Sequence, residues 1–184
     1  MNYYKLKVAG VQRDLPILPV NDKLDIAAFV ILGDVELVHA CARELAQKLP
    51  PVDILLTAEA KGIPLVHEMA AALDHPRYVI ARKSVKLYMS EAIEVRVESI
   101  TTAHEQSLFL DQSDIERLRG ARVAIVDDVI STGNSLIALE ELLKIAGGEL
   151  VCKAAILAEG DAIGREDIVY LEELPLFPKS QKHS

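Results

Sequence analysis

Val123-Ala124-Ile125-Val126-Asp127-Asp128-Val129-Ile130-Ser131-Thr132-Gly133-Asn134-Ser135-Leu136 decides how the chain folds. The apolar run Val123–Val126 reads as a strand covered on both faces, as in a parallel sheet layered between helices. It delivers paired carboxylates into a turn of hydroxyls and a glycine, and a helix is expected from about Leu136 to Ala146, closed by Gly147-Gly148. Gly133 lets the backbone approach a ligand closely, and the N–H groups at the helix start point at one spot where the helix dipole favours an anion. With donors added by the hydroxyls of Ser131, Thr132 and Ser135, a phosphate monoester is expected on the turn Ser131-Thr132-Gly133-Asn134-Ser135 without any lysine. Asp127 and Asp128 suit hydrogen bonds from sugar hydroxyls, or a magnesium ion held through water. Either half alone is a weak signal. A strand ending in Asp-Asp also occurs in receiver domains and haloacid-type phosphatases, and Ser-Thr-Gly before a helix is often only a capped turn.

Outward from this stretch, apolar residues at intervals of three and four predict an amphipathic helix over residues 35–49, stopped by Pro50-Pro51. Val52 to Thr57 reads as a buried strand, Gly62 as a turn, and Pro64 as part of the first turn of a helix through Leu65, Met69, Ala72 and Leu73. Tyr78–Ala81 is the next strand. Alternation of Ile93, Val95 and Val97 with Glu94, Arg96 and Glu98 predicts a strand that Leu108-Phe109-Leu110 pairs against as a hairpin. Ser113-Asp114-Ile115-Glu116 has the form of a capping box for a short helix ending at Gly120. Val151–Leu157 and Ile168–Leu176 are further strands. Strands alternating with helices imply an α/β fold, a twisted and mostly parallel sheet flanked by helices, with its ligand at the carboxyl ends of the strands.

A chain of 184 residues that is 51% hydrophobic fits a single domain, residues 1–184. With 28 acidic against 20 basic residues the net charge is −8, which disfavours nucleic acid and anionic lipid as partners. The longest apolar stretch, Ala27–Leu32, is far too short for a membrane span, and the first residues carry no signal core, so a soluble, unprocessed, cytoplasmic protein is expected. Cys41 and Cys152 read as buried reduced thiols. His39, His67, His75, His104 and His183 show no metal-ligand spacing, and His67 reads as structural.

The strand, its paired acids, two apolar residues and the Thr-Gly turn together resemble the phosphoribosyl pyrophosphate (PRPP) motif of the type I phosphoribosyltransferases. Other segments match that family in order and spacing, and the adenine-specific branch most. Ala58-Glu59-Ala60-Lys61-Gly62 resembles its pyrophosphate loop, with Lys61 where arginine is common; lysine keeps the charge but loses the bidentate fork. Arg82-Lys83-Ser84-Val85-Lys86-Leu87 resembles a segment that reaches the pyrophosphate, concentrating cations in a net-acidic chain. Gly164-Arg165-Glu166 matches the family's tail, and the resemblance covers residues 13 to 178.

What this resemblance implies is the type I phosphoribosyltransferase fold with a small hood, residues 1–33, and a β-hairpin lid, residues 92–112. It implies transfer of ribose 5-phosphate from PRPP to a nitrogenous base, with Mg²⁺, by a homodimer working in purine salvage. Adenine is the first expectation; xanthine, hypoxanthine-guanine and orotate are alternatives, as is a non-catalytic PRPP sensor. The implied substrate contacts are Glu59, Ala60, Lys61, Gly62, Arg82, Lys83, Lys86 and residues 131–135. Asp127 and Asp128 are the implied catalytic and water-mediated metal residues. The family's catalytic glutamate falls at Thr101-Thr102-Ala103, which leaves the acid unassigned between the flanking Glu98 and Glu105, and Glu105 is the candidate on the lid.

Overall fold

The computed structural model describes residues 2–89, 91–98, 105–131 and 133–179. Strand β1 (Tyr3–Val8) turns through Ala9 and Gly10, both at positive φ, into β2 (Val11–Pro19). Two successive left-handed residues are what a two-residue hairpin needs to match the twist of its strands. β3 (Leu24–Ala27) pairs antiparallel with β2, and β11 (Leu176–Pro178), from the far end of the chain, pairs antiparallel with β3. Leu6 and Val8 face inward and Lys5 and Lys7 outward.

Helix α1 (Val35–Lys48) starts at Asp34, whose carboxylate accepts the Leu37 amide at 3.2 Å and the Arg13 guanidinium of β2 at 2.7 Å. There follow β4 (Ile54–Ala58), α2 (Gly62–Ala72), β5 (Val79–Ala81), the hairpin β6 (Ile93–Glu98) and β7 (Glu105–Leu110), and α3 (Gln112–Leu118). The chain then runs through β8 (Arg122–Ile130), α4 (Asn134–Ala146), β9 (Glu149–Glu159), a 3-10 turn and β10 (Ile168–Leu174). Five of these strands form one parallel sheet in the order β10-β9-β8-β4-β5. From β4 the chain builds outward to β5; from β8 it builds the other way, to β9 and β10. The reversal lies between β4 and β8, where an open α/β sheet leaves a crevice at its carboxyl edge.

The sheet is buried on both faces. Along β8, Ala124 and Val126 join the core under α1, α2 and the four-stranded sheet, while Val123 and Ile125 join the core with α3, α4 and the hairpin. The base of the hairpin belongs to that second core through Val95, Leu108 and Leu110. Arg82 and Phe109 exchange backbone hydrogen bonds of 2.8 Å, so β7 is moored to the residue after β5.

Several boundaries differ from expectation. β8 continues past its apolar run to Ile130, because the ladder to β9 carries on through Asp127↔Ala155 and Ile130↔Ala158 and needs no apolar side chains. β4 starts at Ile54, not Val52. α3 is capped by Asp111, not Ser113: the Asp111 carboxylate accepts the Asp114 amide at 2.8 Å and the Ser113 hydroxyl at 2.9 Å. The strand expected over Ile168–Leu176 is divided, β10 and β11 lying in different sheets on either side of Pro175, which has no N–H to continue a ladder. Gly147 closes α4 in the left-handed conformation as the sequence predicts. Among the described residues no helix is long and apolar enough to cross a membrane, and Cys41 and Cys152 are free, buried thiols.

Leu56 is fully buried and Leu87 fully exposed. Leu56→Ala should therefore lower unfolding stability by about 2–5 kcal/mol, and Leu87→Ala by less than about 0.5 kcal/mol, in urea titrations. Equal losses would contradict the core as described.

Candidate active site

The loops after β4 and β8 face each other across the crevice. At the end of β8 the Asp128 carboxylate is only 2% exposed, and its Oδ2 accepts a hydrogen bond from Lys61 Nζ at 2.7 Å. The Asp128 amide donates to Asp127 Oδ1 at 2.9 Å. Burial, followed by the neighbouring Asp128 charge, holds the Asp127 carboxyl well above the ordinary carboxylate range, and Lys61 acts the other way. The Glu159 carboxyl, at the end of β9, is raised by burial and likewise opposed by Lys61. One lysine thus stands among the carboxylates that end these neighbouring strands.

Lys61 is placed by a tight loop. The Glu59–Ala60 peptide is cis, and α2 begins at Gly62, where a β-carbon would collide with the Thr57 hydroxyl and press on the Val126 carbonyl. Only glycine lets the loop lie this close to β4 and β8. Glu59 gathers the second cationic segment: its Oε2 accepts the Lys83 amide at 2.9 Å, while Arg82 Nη1 and Lys86 Nζ lie 3.8 and 3.9 Å from Oε1. These donors and cations, the Lys83 amide first, hold its carboxyl below the usual range. Glu59, Ala60, Lys61, Gly62, Arg82, Lys83 and Lys86 are therefore brought together, but Lys61 turns to Asp128 while Arg82 and Lys86 turn to Glu59.

After Ile130 the chain turns through Ser131 to Gly133, left-handed at φ 82°, and α4 starts with Asn134 and Ser135. The Ile137 amide bonds the Gly133 carbonyl at 3.0 Å. The amides of Asn134, Ser135 and Leu136 precede it, in the turn where a helix has no carbonyl to offer. Thr132 lies outside the described residues, as do Thr101–Ala103. Glu105 is described by its backbone, paired with Glu98 across the hairpin.

The carboxylate pair suits a divalent cation that takes most of its oxygens from substrate and water. Among the described residues there is no group of three or more His, Cys, Asp or Glu arranged to hold a metal by themselves. Of the histidines, His39 pairs with Glu68 at 2.9 Å and His67 packs edge-on against Tyr78. The sequence reading did not single out Glu159 or Arg165 as site residues. The signal for Glu159 was its place at the carboxyl end of a buried strand.

Comparison with known proteins agrees with this layout. A sequence profile of the phosphoribosyl transferase domain matches residues 35–174. The hypoxanthine/guanine phosphoribosyltransferase of Methanococcus voltae is 36% identical over 145 residues, 79% of this chain and 71% of that protein. Its counterpart in Methanococcus vannielii is 35% identical over 78% of this chain and 71% of its own. Among solved structures, adenine phosphoribosyltransferase from Thermoanaerobacter pseudethanolicus superposes with a TM-score of 0.71 at 23% identity, covering 86% of this chain and 95% of that one. The Rhodothermus marinus protein of the same name gives 0.65 at 21%, covering 94% of each. The fold is that of the type I phosphoribosyltransferases.

A raised Asp127 pKa makes a prediction about stability. A carboxyl whose folded pKa exceeds its unfolded value, about 3.9, keeps its full stabilising contribution below that value and loses it as pH rises through the folded pKa. Asp127→Asn removes the ionisation. Its melting temperature relative to the unsubstituted protein should rise as pH climbs from about 4 toward neutrality; a difference independent of pH would contradict the burial of this carboxyl.

Proposed function

Because the chain belongs to the phosphoribosyl transferase domain family, we propose that it transfers ribose 5-phosphate from PRPP to a purine base, releasing pyrophosphate, in purine salvage. The observation that carries this reading is the 2.7 Å contact of Lys61 with Asp128, which sets the expected pyrophosphate loop beside the strand that leads into the phosphate loop.

In this reading the amides and hydroxyls of Ser131, Thr132, Gly133, Asn134 and Ser135 hold the 5-phosphate, and Asp127 and Asp128 accept hydrogen bonds from the ribose hydroxyls. As the bond from C1 to the pyrophosphate oxygen breaks, positive charge develops on the ribose ring and negative charge on the leaving group. Lys61, Arg82, Lys83 and Lys86 meet the leaving-group charge as it grows, and stabilisation confined to the transition state is what accelerates a reaction. The base nitrogen then bonds C1, and its proton passes to the departing pyrophosphate. Bound Mg²⁺ would neutralise pyrophosphate, with Asp127 and Asp128 reaching it through water. The hairpin over residues 92–112, with Glu105, is read as a lid that keeps water from the ribosyl cation. The segment 1–33, whose strands β1, β2 and β3 join β11 in the four-stranded sheet, is read as the hood of a single-domain enzyme. A cytoplasmic homodimer is part of the same reading, as the resemblance implies.

Hypoxanthine and guanine are favoured as the base, because the relatives at 34–36% identity carry that name, while likeness to the adenine enzymes at 21–23% identity bears on fold alone. Adenine, the first expectation from sequence, stays as the second reading.

Incubation with PRPP, Mg²⁺ and each of hypoxanthine, guanine, xanthine, adenine and orotate, following pyrophosphate release, should show the fastest release with a 6-oxopurine. Fastest release with adenine reverses the choice of base; tight PRPP binding without release for any base replaces the enzyme by the sensor. Asp127→Asn combined with Asp128→Asn should lower kcat/KM at least about a hundredfold with the fold retained, and undiminished turnover would remove both carboxylates from the reaction.

A further inference from the structure

Arg165 follows β9 and its 3-10 turn, yet its guanidinium is set against the loop that opens α4. Nη1 lies 3.7 Å from the point that a β-carbon on Gly133 would occupy. The other edge of the guanidinium is committed: Nε and Nη2 donate to the two oxygens of Asp167 at 2.9 and 2.7 Å. Asp167 also accepts from Lys153 Nζ at 3.0 Å, and Lys153, only 13% exposed, pairs at 2.7 Å with Glu140 of α4. The helix whose first turn is the proposed phosphate site therefore anchors, through Glu140, Lys153 and Asp167, the cation facing that turn. A bidentate carboxylate fixes the guanidinium plane and leaves one nitrogen directed away from it. Among the described residues Nη1 has no protein partner.

Building on the phosphoribosyltransferase reading, we infer that Arg165 is a phosphate-binding residue, whose Nη1 donates to the 5-phosphate of PRPP over Gly133 while Asp167 holds the opposite edge. The anchoring chain holds two cations and two carboxylates and is electrically balanced. Arg165 thus contributes a directed, charge-assisted donor, where the loop amides contribute dipoles. An arginine that merely closed a surface turn through Asp167 would need no placement against the left-handed glycine of another loop.

The test is calorimetric titration of the full chain with two probes that divide the substrate, ribose 5-phosphate for the loop after β8 and magnesium pyrophosphate for the cations around Lys61. Arg165→Gln should weaken ribose 5-phosphate binding about tenfold or more and leave pyrophosphate affinity unchanged. Asp167→Asn, which releases the guanidinium edge, and Arg165→Lys, which keeps charge without the fork, should each give a smaller loss confined to ribose 5-phosphate. Undiminished ribose 5-phosphate binding in Arg165→Gln, with the unsubstituted protein active on PRPP, overturns the inference and leaves the enzyme reading standing. Equal loss of both probes also overturns it, since that is the mark of a structural role. Should the unsubstituted protein neither bind ribose 5-phosphate nor consume PRPP, the enzyme reading fails and this inference with it.

Discussion

A lysine from the loop after one strand closes on a buried carboxylate at the end of its neighbour, Lys61 Nζ on Asp128 at 2.7 Å, and the site is laid out around that pair. A carboxylate exposed by only 2% is costly to bury without a partner, and Lys61 supplies one. Lys61 is itself about half exposed, with relative accessibility 49%, so solvent screens the attraction, and the contact matters more for placement than for stability. The same lysine opposes the raised pKa values of Asp127 and Glu159. Under the proposed function, polyphosphate arriving here would meet a cation already oriented by the carboxylates assigned to the sugar.

The sheet makes this meeting possible. Its order, β10-β9-β8-β4-β5, puts β4 beside β8 although their sequences lie far apart, and both present carboxyl ends to the same crevice. Burial on both faces by two cores leaves that edge as the place where polar side chains can gather without breaking apolar packing. The absence of a side chain at Gly62 then sets how closely the β4 loop can approach, since the Thr57 side chain fills the space a β-carbon would need. The hairpin is tied to the same edge through the Arg82–Phe109 pairing, next to the cations gathered by Glu59.

Much of this was legible in the sequence, for local reasons. The run Val123–Val126 needed only its apolar side chains to read as a two-faced strand, and Gly147 marked the end of α4 through backbone freedom, although α4 begins at Asn134, two residues before the expected start. What escaped depends on partners distant in the chain. Nothing near Lys61 announces Asp128, 67 residues away, and nothing near Glu59 announces that it gathers Arg82 and Lys86. Arg165 entered the sequence reading only as part of a match to the family's tail, since its pairing with Asp167 is local; its approach to Gly133 depends on how β9 lies beside β8. Asp111 won the cap of α3 over Ser113 because a carboxylate accepts from an amide and a hydroxyl together. The strand ending at Leu174 could not be separated by periodicity from the one starting at Leu176, and the intervening Pro175 was the only clue.

The most direct test is a crystal structure of the full chain with PRPP and Mg²⁺. The account predicts the 5-phosphate on the amides between Ser131 and Ser135, the ribose hydroxyls on Asp127 and Asp128, and the pyrophosphate against Lys61. A 5-phosphate bound elsewhere, or a pyrophosphate remote from Lys61, would contradict it.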